Sequence, residues 1–139
     1  MAIERVIQAF EMMPSWQDRY QLIIDMGRKL PTMPEEDKTD DNLLDGCLSK
    51  VWMTAELDTA EQPPVLNLTA DSDSQIVRGL IAIVLEVFNK RPPAEILSTD
   101  IDEVFRQLDL EQHISPGRRN GLSSMVRRVR ELAHMEMAA

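Results

Sequence analysis

The apolar positions of this chain recur with two different periods. Ile3, Val6, Ile7 and Phe10 stand three and four residues apart, which predicts a short helix at the start. "MMPS" breaks it. Ser15 then stands as the N-cap of a second helix, with Asp18 at capping-box distance, and Trp16, Tyr20, Ile23, Gly27 and Leu30 lie along one side. Pro31 and Pro34 end that helix and open an acidic loop. In "KVWMTAEL", residues 50–57, side chains alternate and β-formers dominate, so a strand is predicted. "DTAEQPP" reads as a turn, and "VLNLTA", 65–70, as a second strand pairing with the first in an antiparallel hairpin. Leu43 and Leu44 are candidates for a short third strand.

The widest apolar face belongs to "DSDSQIVRGLIAIVLEVFNK". Ser72 and Gln75 have capping-box spacing, and Asp71 and Asp73 suit the positive end of a helix dipole. Ile76, Val77, Leu80, Ile81, Val84, Leu85 and Phe88 then define a core helix. "RPP" stops it, and short helices are predicted near 94–97 and 102–108. The last helix takes Ser115 as N-cap and Pro116 as its first position, and runs to about Met135. Helices, a hairpin, then helices predict an α+β fold with helices packed on a small antiparallel sheet. The length, 139 residues, fits one domain over 1–139.

Charge narrows the partners. The formal net charge of −9 argues against general binding to nucleic acid or an anionic membrane, both of which need a cationic surface. The charge is uneven: "EEDKTDDNLLD", 35–45, is strongly acidic, while the segment from Ser115 carries Arg118, Arg119, Arg127, Arg128 and Arg130. These runs are either two solvated faces or, for the acidic loop, a docking element. No apolar run approaches the roughly 20 residues that cross a bilayer. The first residues, "MAIERVIQAF", lack the apolar stretch of a secretory signal. One cysteine gives no sign of an oxidising compartment, so a cytoplasmic protein is expected, or the same chemistry inside an organelle.

Few residues can carry chemistry. Cys47, His113 and His134 have no metal-binding spacing, and the five glycines form no phosphate-binding loop. Cys47 is the one thiol. It is either a small buried apolar side chain or a reactive group presented by the turn that Gly46 permits. Its neighbour Asp45 opposes thiolate formation, and Lys50 offsets this in part. A helical wheel of the last helix puts Leu122, Met125, Val126, Val129, Leu132 and Ala133 on one face, with Arg118 near its centre in the first turn. Such an arginine is explained by a buried ion pair, by a side chain reaching out to water, or by a place beside the thiol.

Four stretches of this chain resemble motifs of the SufE/CsdE family of sulfur-acceptor proteins, in the family's order. "GCLSKVW", 46–52, is similar to its GCxSxVW signature. "SWQDRYQLIIDMGRKLP" resembles its second helix, "LTADSDSQIVRGLIAIV" its GDSD segment, and "HISPGRRNGL" its histidine-to-glycine segment near the last helix. Ala70 replaces the usual glycine before DSD, and Gly117 follows Pro116; neither change removes a reactive group.

The resemblance implies a fold like that of the IscU scaffold, with a three-stranded antiparallel sheet and helices on one side. It implies that Cys47 takes up sulfur as a persulfide, that Arg118 is the motif arginine, and that His113, Asp71 and Asp73 lie around the active loop. The implied partner is a cysteine desulfurase. The chain itself would need no cofactor, because pyridoxal phosphate belongs to the desulfurase. The sulfur would go on to an iron–sulfur scaffold or another acceptor, with no nucleic acid or membrane involved. Two rivals stay open: a thiol-dependent enzyme with His113 as base, and a binding module in which Cys47 is inert.

Overall fold

The computed structural model describes residues 2–47 and 49–138. Its elements run α1 (Ala2–Met12), α2 (Trp16–Lys29), two 3-10 turns (Glu35–Asp37 and Asp40–Asn42), β1 (Val51–Asp58), β2 (Val65–Ser72), α3 (Gln75–Phe88), α4 (Pro93–Ser98), α5 (Ile101–Leu108) and α6 (Pro116–Ala138).

The hairpin pairs Val51 with Ser72 and Asp58 with Val65, so Val51, Met53, Leu68 and Ala70 share one face. That face is buried, as period-two alternation requires. The sheet has two strands, not three. Leu43 contributes only a one-residue bridge to Trp52, with the Leu44 amide on the Val51 carbonyl at 2.8 Å. The 3-10 turn that ends at Asn42 and the reversal at Asp45–Gly46 leave no length for a third strand. On the outer edge of β2, Arg91 makes a matching one-residue bridge to Leu66.

α3 is the axis of the core. Its residues from Gly79 to Val84, with Val87 and Phe88, are all buried. Its cap is Ser74, whose Oγ accepts from the Val77 amide, rather than Ser72. The reason is that β2 continues through Ser72, whose Oγ instead accepts from the Ser74 amide. α2 starts where Ser15 Oγ accepts from the Asp18 amide and packs closely on α3 through facing glycines. A Cβ on Gly27 would lie 2.7 Å from the Gly79 amide nitrogen, and one on Gly79 would strike the Ile23 carbonyl. α6 lays Leu122, Met125, Val126, Val129 and Ala133 on the same core, and all of them are buried.

The 31–47 segment is held down from two sides. Lys38 Nζ lies 3.0 Å from Glu35, 3.7 Å from Asp71 and 5.5 Å from the centre of the Trp52 ring. Arg128 of α6 donates to the Asp41 carbonyl at 3.0 Å.

Candidate functional site

The chain reaches its one thiol through a left-handed turn. Gly46 has φ +82°, a conformation that favours glycine. Space imposes the same choice, because a Cβ here would lie 2.9 Å from Ser124 Oγ. The turn sets Cys47 against α6, half-buried, where its thiol donates to the Gly121 carbonyl at 3.8 Å. A Cβ on Gly121 would lie 3.6 Å from the sulfur, an ordinary contact distance, so the thiol packs directly on this turn of α6. Leu48, inside the "GCLSKVW" motif, lies outside the described residues. On the far side of the motif, the Lys50 amide donates to Asp73 Oδ1 at 3.2 Å, which ties the loop's exit to the start of α3.

Cys47 opens into a cavity of about 310 Å³ between the hairpin, α3 and the first turns of α6. Val77, Leu80 and Met125 make its apolar wall; Ser49, Ser115 and Arg118 are its polar members. Arg118 is thus brought to the thiol's cavity, and it is exposed. Among the described residues it forms no ion pair, so the buried-pair alternative is not what α6 builds. The first turn of the helix projects past the packed core, and its amide caps on Ser115 Oγ at 3.3 Å.

The thiol is electrostatically quiet. Burial pushes its ionisation above the usual cysteine range, and the charge of Asp45 pushes it further; the nearby Ser124 hydroxyl pulls the other way. No cation is among these influences, Arg118 included.

The other residues expected here have other work. Asp71 is buried under the 31–47 segment. It accepts from the amides of Met33 and Ser72 and pairs with Arg78, which also donates to the carbonyls of Gly27 and Leu30. Burial alone would raise its pKa, but these amides and the guanidinium reverse that and hold its carboxyl below the usual carboxylate range. His113 is carried away from the thiol. Its ring stacks on Trp16 at 3.9 Å and 10°, its Nδ1 lies 3.1 Å from the Asp109 carbonyl, and its own carbonyl accepts from Tyr20 Oη. Among the described residues, no histidine or carboxylate lines the Cys47 cavity. Among them, too, no cluster of His, Cys, Asp and Glu could hold a metal ion, and no helix is long and apolar enough to cross a membrane.

The family model for SufE, the Fe-S metabolism associated domain, matches residues 4–133. The chain belongs to the SufE family. Two curated SufE-like proteins, neither assigned a specific role by its name, come from rhizobia. That of Rhizobium etli is 38% identical over 138 residues, 99% of this chain and 93% of its own length. That of Rhizobium meliloti is 37% identical over 138 residues, 99% of both chains. The α+β fold is shared with a solution structure of a hypothetical protein from Thermus thermophilus. Their TM-score is 0.78 at 16% identity, over 99% of this chain and 96% of the other.

Three residues around the loop and Asp71 are not marked out in the sequence as Cys47 and Arg118 are. Lys38 sits in the acidic run, where it reads as one more solvated charge. Arg78 does carry a signal: it is a lone cation inside "QIVRGLIAIV" and needs an acidic partner. Ser124 adjoins the apolar stripe of α6, and its burial is visible only once Gly46 is packed against it.

Proposed function

We propose that this SufE-family chain, as one domain, is a sulfur acceptor that takes sulfane sulfur from the persulfide of a cysteine desulfurase onto Cys47. The reading rests on one observation: the chain's one thiol ends a glycine turn in a cavity that also holds Arg118, within a family match spanning nearly the whole chain. The thiolate of Cys47 attacks the outer sulfur of the donor persulfide. A new S–S bond forms, the donor's S–S bond breaks, and its electron pair leaves on the donor sulfur, which takes up the proton that Cys47 gave to solvent. Nothing is oxidised overall. Clearing the donor thiol raises the desulfurase's turnover, and the sulfur passes on for iron–sulfur cluster assembly. Arg118, which lines the same cavity and forms no ion pair among the described residues, is the cation we assign to the negative sulfur once the partner's persulfide is in place. The chain brings no cofactor of its own to this exchange and acts in the cytoplasm.

Intact-mass analysis after mixing with a cysteine desulfurase and cysteine tests this. The expected result is a one-sulfur adduct on the native chain, none on Cys47→Ser, and loss of desulfurase stimulation by that variant. Stimulation that survives Cys47→Ser overturns the acceptor role.

A further inference from the structure

The first turn of α6 carries Arg118 but lies outside the packed core. Pro116 and residues 118–120 are exposed, and burial along the helix begins at Gly121. An exposed first turn leaves amides without partners and opens easily unless something ties its start. The cap, Ser115, follows directly on His113 and the buried Ile114. α2 grips His113 at two points. The imidazole lies flat on Trp16 at 3.9 Å, and the His113 carbonyl accepts from Tyr20 Oη. Within its own turn, Nδ1 lies 3.1 Å from the Asp109 carbonyl, which orients the ring for the stack. Trp16 stands edge-on to Tyr20 and to the fully buried Phe10, so the grip is rooted in the core. From the helix side, the Arg119 guanidinium donates to the Glu111 carbonyl at 2.7 Å and closes the same turn onto α6.

We propose that His113 is a positioning residue for Arg118: held by Trp16 and Tyr20 of α2, it fixes the start of α6 and with it the place of the guanidinium in the Cys47 cavity. The imidazole does not line that cavity, so it acts through the helix and not on the sulfur. That Arg118 serves sulfur uptake rests on the acceptor reading; that His113 places it does not.

The test compares two reagents of similar shape and different charge. Iodoacetate is an anion and iodoacetamide is neutral, so the ratio of their rates at Cys47 reads the cation in the cavity. A loosened loop or an altered thiol moves both rates together and leaves the ratio alone. Arg118→Ala should lower the ratio about two- to fivefold, the worth of a solvated charge pair. His113→Ala should lower it in the same direction. So should Tyr20→Phe, which keeps the ring and removes only the tie to the His113 carbonyl. His113→Phe keeps a ring for the stack and should restore part of the ratio. Once Arg118→Ala is in place, adding His113→Ala should change the ratio no further. Circular dichroism confirms folding throughout. A ratio that Arg118→Ala does not move, that stays native in His113→Ala, or that His113→Ala lowers as far without Arg118 as with it, overturns the proposal. If the ratios fall as expected but the native chain gains no sulfur from a desulfurase, the positioning role stands and the acceptor reading falls.

Discussion

Cys47 donates its thiol hydrogen to the carbonyl oxygen of Gly121, 74 residues away in sequence and 3.8 Å away in space. The bond holds the loop thiol to α6 in its protonated form. Burial first, and then the charge of Asp45, favour the same protonated form.

The first prediction is alkaline. The folded thiol ionises at higher pH than the unfolded one, so below the unfolded value it costs nothing. As pH rises through that value toward the folded one, the unfolded chain loses its proton first and folding stability falls. Urea unfolding of the native chain should weaken in this window, and Cys47→Ala should remove that part of the slope. Asp45→Asn should speed alkylation of Cys47 at neutral pH by removing the repulsive charge.

Acid should act through Asp71. Its carboxyl ionises below the usual range, so its stabilisation is complete above the unfolded value and is lost as pH falls through the folded one. Asp71→Asn leaves Arg78 without its anion and should cost about 3 kcal/mol at pH 7, with the gap closing in strong acid. Urea titrations of both chains at pH 7 and at pH 3 check the size and the convergence; a gap of equal size at both would contradict the pairing.

The glycine crossing of α2 and α3 predicts a packing loss. Gly79→Ala must push its new methyl into the Ile23 carbonyl, which is backbone and does not yield cheaply. Overpacking of this kind costs about 1–3 kcal/mol, read as a lower midpoint in thermal or urea unfolding. A neutral result would mean that the helices separate at no cost.

The straps on the 31–47 segment predict how the thiol is uncovered. Arg128→Ala removes the donor to Asp41, and Lys38→Ala removes the tie to Asp71 and Trp52. Each should speed hydrogen exchange in residues 38–47 and raise Cys47 alkylation severalfold. Unchanged exchange in both would show that the turn at Gly46 alone fixes the thiol.

His113→Ala separates the acceptor reading from a thiol enzyme. Loss of the stack on Trp16 should cost about 1 kcal/mol of stability and leave the pH profile of Cys47 alkylation in place. A change in that profile would restore His113 as a base.

Much of this fold is legible from periodicity because the core is simple. Alternation marks Val51 to Leu57, and the apolar run of α3 marks the axis against which everything packs. The third strand fails because two leucines in an extended stretch look alike whether they form a ladder or one bridge; the turns on either side decide it. The shared cavity of Cys47 and Arg118, and the turn at Gly46, fall where local motifs stand in the sequence. The site is illegible where chain-distant groups meet. The wheel leaves a buried ion pair open as one reading of Arg118, yet the buried pair belongs to Arg78 and Asp71. His113 falls on a family motif position, but its ring is claimed by Trp16, a contact between helix and loop that no local pattern encodes.

The protonated state of Cys47 also bears on how long the protein lasts. Peroxide attacks thiolates, and a sulfur driven past sulfenic acid is lost to further use. A chain with one thiol has no neighbouring cysteine to rescue it by closing a disulfide. On the sulfur-acceptor reading, keeping that sulfur neutral and tucked against a helix carbonyl until a partner arrives would protect the whole molecule from a single irreversible oxidation.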